Sequence, residues 1–543
     1  MVCRVHPHLR HSNLVLAHDY HAHSGADARR AWTVAPAIPV EICSLSTPKK
    51  RNSQSMDCTV AHSGDAGAIM SAPTTDTSPI ADLFRTVVAG GYCVGCGACA
   101  TMAPEHLEMR LDSYGRFLPR QIGDAAPSDT ALTDVRAVCP FSGRSRNEDE
   151  IGADAFGHAP HQNGLIGRWE TLHAGYVSEG DFRQNGTSGG MTNWIASELL
   201  SRGLVDAIIH IRPGAQSTGG PLFQYAVSRT IEELREGAKT RYYPCELSTV
   251  MQYIRETPMR FALISLPCFA RAARLLREND AVIGERLHFQ IAIVCGHLKS
   301  TGYAEYYGWT AGMHPRDLTY VDFRYKAPQA ISAKQYFILA RSKDRQSVIA
   351  NANVYGTDWG LGFFKLKACD YCDDVLGETA DITLGDAWLP RFDSDPAGTN
   401  IVITRHPQLA QIVAEGRANG SIHIEDLGAE DIARSQEAGF RHRRDGLAYR
   451  LYLRDQEGQW RPRKRVAAAH HLSLRYRLIF RLREALRDRS HAAFAEAVRG
   501  NDLRIFIRKM APLVRVYLVV LRQMNPDYWQ KKWAGLRRRL SLR

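Results

Sequence analysis

The sequence predicts an α/β protein: a mixed, mainly parallel sheet core, a small cysteine-bearing module before it, and a helical C-terminal extension. Three observations carry that expectation. Between residues 170 and 430, strand-like apolar runs alternate with amphipathic helical segments. Ahead of them, three cysteines at two-residue intervals sit in a loop rich in glycine and alanine. Behind them, residues 461–543 carry 22 Lys/Arg against 5 Asp/Glu. The tail is therefore +17 in a chain of +12, which leaves −5 on the first 460 residues.

Four segments follow in order. Residues 1–80 are rich in Ser, Thr, Pro, Gly and His and lack sustained periodicity. They read as a disordered leader, or as a stretch upstream of a true start at Met56 or Met70. Cys3, Cys43 and Cys58 fall there without partner spacing. Residues 81–150 form the small module, in which "HLEMRLD" and "GRFLPRQ" read as two strands joined by a Ser-Tyr-Gly turn. Residues 165–435 hold the strand-like runs "TLHAGYV", "VDAIIHI", "RFALISL", "FQIAIVC" and "TNIVITR". Helices are expected at "GMTNWIASELLSRG", "STVMQYIRET", "FARAARLLREN" and "HPQLAQIVAEGRANG". Residues 455–543 form a basic amphipathic helical tail, with Leu474, Leu478, Leu482 and Leu486 recurring every four residues among arginines. A second apolar segment, "RIFIRKMAPLVRVYLVVLRQM", is expected to break at Pro512. Such helices suit an anionic membrane surface, a partner, or the protein's own body. No nucleic-acid motif accompanies them, so no specific nucleic acid is expected.

With 543 residues the chain is long enough for several domains, and 44% hydrophobic with 23% charged residues is ordinary for a globular protein. No stretch offers eighteen uncharged apolar residues, and the first thirty lack the apolar run of a secretory signal. The expected location is the cytoplasm, with peripheral contact at the inner face of the membrane if the tail meets lipid. Twelve cysteines, mostly grouped in short motifs, suit metal ligation in a reducing compartment better than disulfides.

Cys93, Cys96 and Cys99 in "GYCVGCGACATMAP" have the Cys-x2-Cys-x2-Cys spacing that bends one loop around a 4Fe–4S cubane, with small residues between them. The fourth ligand is expected to be a distant cysteine, often one before proline, and Cys139-Pro140 supplies it. Zinc and a purely structural role are the alternatives, although zinc more often uses two separated Cys-x2-Cys pairs. Cys268 in "ISLPCFARA" and Cys295 in "IAIVCGHLKS" each end an apolar strand, where open α/β sheets bind ligands. With the Cys369/Cys372 pair of "KACDYCDD" they make a second set of four, against the alternative that each is a small buried hydrophobe. Cys245 reads as a bystander.

In "RQNGTSGGMTNWIASELL", glycines flank Thr187 and Ser188 just before a helix, an arrangement that suits a phosphate or an anionic flavin edge. The order "CVGCGAC", "CP", "GTSGG", "LPC", "CG", "CDYC" and "ADITLGDAW" resembles the coenzyme F-420 hydrogenase/dehydrogenase beta-subunit family, which also includes the 7-hydroxymethyl chlorophyll a reductases. The resemblance covers roughly residues 85–430 and leaves out the leader and the tail. It implies an iron–sulfur flavoprotein with two 4Fe–4S clusters and FAD, the first module being ferredoxin-like. Ser188, Gly189 and Gly190, with Thr187, match the family's flavin-contacting loop. "GAKTRYY" resembles a "GSKY" element, which makes Lys239 and Tyr242 flavin-side candidates, although Thr240 and Arg241 depart from it. Phe269 stands where the family has Gln after "PC". Gly385 and Asp386 of "ADITLGDAW" are implied to lie near the second cluster or the flavin.

The resemblance also implies a role. Electrons from a ferredoxin-type donor, or from a partner subunit, would reach a small organic acceptor through the two clusters and FAD. His297, two residues after Cys295, is the candidate proton donor for a carbon acceptor. The alternatives are an F-420-linked electron-input subunit of a larger hydrogenase or dehydrogenase complex, a non-catalytic electron-transfer module, and a zinc-stabilised binding protein. The substrate and the direction of flow are not read from the sequence.

Overall fold

Strands Phe261–Ser265 and Asn400–Thr404 are buried along their whole length, and continuous apolar runs of that kind need cover on both faces. They lie in an eight-stranded sheet ordered Ile422–Asp426, Thr171–Val177, Asn400–Thr404, Ile382–Asp386, Leu287–Ile293, Phe261–Ser265, Ala207–Pro213, Phe223–Ser228. The structure, a computed structural model, describes residues 78–123, 134–214 and 220–522. Most of the leader, with Cys3, Cys43, Cys58, Met56 and Met70, therefore lies outside the described residues. Its expected limit at residue 80 is slightly late, because Ile80 is already core.

The mixed, mainly parallel sheet of the sequence reading is borne out. The four strands from Ile382–Asp386 to Ala207–Pro213 are mutually parallel, and the outer ladders are antiparallel. Two successive antiparallel ladders turn Thr171–Val177 back into the parallel direction. Five carboxyl ends thus share one edge of the sheet.

Side chains alternate across the two faces as a strand's period of two requires. Ala207, Ile209, Phe261 and Leu263 join one apolar cluster, and Ile208, Ala262 and Ile264 join another. Helices Met191–Ser201 and Pro407–Ala418 cover the second face through Trp194, Leu199, Leu409 and Ile412. Helices Ser248–Glu256 and Pro267–Asn279 cover the first, together with Val94 and Ala98 of the cysteine loop. Leu486 and Phe506 of the C-terminal helices belong to that same cluster, so one core runs from the cysteine module through the sheet to the tail. The hairpin expected at residues 106–121 is present as antiparallel strands Leu107–Leu111 and Phe117–Gln121.

The tail packs on the protein's own body, one of the three expectations for it. Helix Leu474–Arg499 buries Leu482 and Leu486 but leaves Leu474 and Leu478 exposed. Helix Leu503–Arg522 does not break at Pro512. The proline lies on the exposed side while Met510 and Val514 are buried, so the backbone hydrogen bond it forfeits faces water. Among the described residues no helix is long and apolar enough to cross a membrane.

Candidate functional site

The first four-cysteine set forms where a loop, a short helix and a distant turn meet. Cys93 and Cys96 lie in the loop, Cys99 in helix Ala98–Met102, and Cys139 in the turn before helix Glu148–Ala155. Gly97 makes the loop's bend at φ 85°, and a Cβ there would stand 2.9 Å from the Ser248 nitrogen. Only glycine fits that turn and that approach. The Leu247 N–H then donates to the Cys96 carbonyl at 2.9 Å, fastening the loop to the α/β body. Ser142 and Ser145 fix the Cys139 carbonyl with hydroxyl donors at 3.1 and 2.7 Å. All four cysteines line one cavity, walled by Tyr92, Val94, Pro140 and Phe141. Burial pushes every one of these thiols up, Cys93 to about 12, and Cys93, Cys96 and Cys99 also feel other thiols of the set. Thiols so dry give up their protons only to a strongly positive group such as a metal centre.

The second set is equally complete. Cys268 sits in the first turn of helix Pro267–Asn279, and Cys295 follows strand Leu287–Ile293. Cys369 lies in the 3-10 turn Lys367–Tyr371, and Cys372 caps it. The Leu298 N–H donates to the Cys369 sulfur at 3.2 Å. Cys268 feels the other three members and also Cys96, so the two sets are neighbours, with the Tyr225 hydroxyl facing Cys268 and Cys96. Burial pushes Cys295 up to about 12 and Cys369 to about 11. Among the described residues no three His, Cys, Asp or Glu side chains converge on a single ion. A cubane, by contrast, takes one thiolate at each of four separate corners. Cys245 is buried beside Tyr225 and belongs to neither quartet; its thiol donates to the Phe223 carbonyl.

The loop between Cys369 and Cys372 is held from behind by residues that the sequence alone places on a solvated tail or does not single out. Asp370, with no exposed surface, is ion-paired with Lys365 and with Arg487 of helix Leu474–Arg499. Arg450 donates from Nε to the Asp370 carbonyl at 2.7 Å. Nearby, Lys464 meets Asp373 at 3.0 Å, and Arg465 grips Glu378 with two bonds of 2.7 and 2.8 Å. Part of the tail's positive charge thus answers buried acids of the body.

At the shared carboxyl edge, the glycine loop and its expected partners come together. Gly190 starts helix Met191–Ser201 at φ 85°, and a Cβ there would lie 2.6 Å from the Phe182 carbonyl carbon. Thr187 and Thr240 share a hydroxyl hydrogen bond of 2.9 Å, so the Thr that departs from the family element braces the loop. Ser188 is buried and donates to the Thr399 carbonyl at 3.1 Å. Lys239 lies 3.7 Å from Asp322, and Tyr242 packs on Phe323 and Trp359 within reach of Arg324. Asp386 accepts from Arg324 at 2.6 Å. Gly385 faces Val294, and its carbonyl accepts from Asn400 at 3.1 Å, which makes it a close-packing position.

Sequence reasoning missed Asp322, Arg324 and Lys326, all from "YVDFRYK", together with Asn400. Lys326 donates to the carbonyls of Arg183, Ser188 and Ala397 at 2.5, 2.9 and 2.7 Å. Burial, then Lys239, Arg183 and Arg324, push its ammonium down to about 7. Four basic groups thus gather about one glycine loop, three of them paired with Asp322, Asp386 and Asp395. His297 is not among them. It is buried, stacks on Trp359 at 4.2 Å, and its Nε2 has no hydrogen-bond partner among the described residues. Burial and the surrounding cations hold it well below the usual histidine range, so the ring is neutral, which is not the form a proton donor starts from.

The family model for the N-terminal part of the coenzyme F420 hydrogenase/dehydrogenase beta subunit matches residues 172–252, and the model for its C-terminal part matches residues 258–430. No curated protein matches the chain. Among solved structures, a chain of the F420-reducing NiFe hydrogenase complex from Methanosarcina barkeri is similar at 14% identity. It covers 55% of this chain and 96% of its own, with a TM-score of 0.42. Residues 172–430 thus match, consecutively and in order, both parts of the coenzyme F420 hydrogenase/dehydrogenase beta subunit.

Proposed function

We propose that the chain is an iron–sulfur flavoprotein of the oxidoreductase type. Cys93, Cys96, Cys99 and Cys139 hold one 4Fe–4S cluster, Cys268, Cys295, Cys369 and Cys372 hold a second, and the 187–190 loop holds FAD. One observation carries the reading: two full quartets of thiols stand side by side in one dry interior, the second on the sheet edge that bears the glycine loop. When bound, such groups supply one-electron relay and its conversion to two-electron chemistry.

The chain's own residues do the rest. Tyr92, Val94 and Phe141 exclude water from the first quartet. Lys239, Lys326, Arg324 and Arg183 offer positive charge to an anion such as a dinucleotide diphosphate. Asp386 aims Arg324, and the three carbonyls around Lys326 hold its ammonium over the loop. A ferredoxin-type donor on the side of the first quartet and a small organic acceptor at the sheet edge complete the proposal. An F-420-linked electron-input subunit of a larger complex is the second reading, favoured by the beta-subunit description of both matched regions.

Iron, acid-labile sulfide and flavin quantitation on anaerobically purified protein tests the proposal. About eight irons per chain are expected with one FAD. Zinc in place of iron, or full iron without flavin, would refute the corresponding part. Deazaflavin turnover that requires an added partner subunit would select the second reading.

A further inference from the structure

Arg443 ends helix Glu437–Arg443, and its side chain is 2% exposed. It donates from Nη2 to the Gly296 carbonyl at 2.7 Å, one residue past Cys295. Its Nε has no hydrogen-bond partner among the described residues. The ionisable groups it chiefly faces are the thiols of Cys372, Cys295 and Cys369, and among the described residues no carboxylate is ion-paired with it. A guanidinium stripped of water and given no counter-ion is among the costliest things a protein interior can hold. Lys299, which also lies near Cys369, donates to the Phe363 carbonyl at 2.6 Å and is held well below the usual lysine range by burial, and three other cations near the thiols are already answered. Arg271, near Cys139, meets Glu148 at 3.1 Å, Lys464 meets Asp373 at 3.0 Å, and Lys365 is paired with Asp370.

We infer that Arg443 is the fixed counter-charge of the second cysteine quartet and that it raises the reduction potential of the 4Fe–4S group held there. The inference rests on the iron–sulfur reading above. Reduction adds one electron and no proton, so the negative charge of that group grows by one. A cation fixed against three of its four thiolates stabilises the reduced form more than the oxidised one. The electron comes from a one-electron donor, a ferredoxin-type protein in the reading above and dithionite in the test. The sign favours electron flow from the first quartet toward the sheet edge.

An EPR-monitored redox titration of the anaerobic full-length protein tests this, with the second signal identified as the one lost in Cys268→Ala. Arg443→Met should lower its reduced-to-oxidised ratio at least tenfold at fixed potential, a shift of about 59 mV. The first signal should stay in place, and Arg443→Lys should keep most of the wild-type value. The inference fails if Arg443→Met keeps its iron and its midpoint, or if lysine behaves as methionine does. It stands if methionine loses the second-quartet iron and lysine retains it, because the charge is then what holds the group. A wild-type protein without iron would instead remove the reading on which the inference rests.

Discussion

Asp370 is the residue whose removal should cost most for its size. It sits between two ligand-candidate cysteines with no exposed surface, and it is the common partner of Lys365 and Arg487, whose side chains are only 3% and 5% exposed. Asp370→Ala strands two buried cations at once. Breaking one buried pair by removing a partner costs about 3–5 kcal/mol. The upper end applies here, limited because Lys365, already held below the usual lysine range by burial, can shed its proton. Arg487→Met leaves Asp370 paired with Lys365 and gives up one charge-assisted bond, about 2 kcal/mol. Its other partner, Asp488, is largely exposed and contributes little. Urea unfolding of the metal-free reduced chain, read as midpoint and slope, measures both losses. Combining the two changes removes one stranded charge, so the double variant should be less damaged than the sum of the singles. The reasoning is wrong if Asp370→Ala costs no more than Arg487→Met, or if the two losses simply add.

Three further outcomes follow from the same structure. Burial, reinforced by Arg212, pushes His210 down to about 4 against about 6.5 in an unfolded chain. Stability from this site is therefore full above pH 6.5 and is lost as pH falls from 6.5 toward 4, by at most about 3 kcal/mol. His210→Asn should flatten that limb of a pH–stability curve, and an unchanged slope would contradict the assignment. Gly190→Ala forces a left-handed residue and a backbone clash at 2.6 Å, costing roughly 1–2 kcal/mol for the dihedral alone. It should deplete bound flavin while iron content holds; equal loss of both would mean general unfolding. Cys245→Ala should leave the iron content of the anaerobic protein unchanged, whereas Cys268→Ala should lower it. A loss in the Cys245 variant would draw that thiol into a quartet.

What could be read in the sequence was what spacing and local periodicity encode. The Cys-x2-Cys pairs, the Cys139-Pro140 turn and the strand ends before Cys268 and Cys295 all announce themselves within a few residues. The central strands were legible because they are apolar throughout. Strand Tyr320–Tyr325 was not. Its Asp322 and Arg324 alternate with apolar residues as an edge strand's would, yet both are buried because Lys239 and Asp386 meet them from distant segments. The arginines of the tail misled for the same reason. Their buried partners, Asp370 and Glu378, lie 117 and 87 residues earlier, and no local pattern records such a pairing. At Pro512 the local rule failed because a helix tolerates proline where water can serve the carbonyl it strands.

The latch on the Cys369–Cys372 loop also sets an order of manufacture. A chain leaves the ribosome from its N-terminus, and Asp370 is synthesised 117 residues ahead of the arginine that secures it. Until helix Leu474–Arg499 has emerged and docked, that loop lacks part of its backing, while the thiols of the first quartet and the Leu247 bond that fastens them are already made. On the proposed iron–sulfur reading, loading of the second quartet on a half-finished chain would be handicapped relative to the first. The helix Leu474–Arg499 thus completes the backing of that loop only after every residue of both quartets has been made.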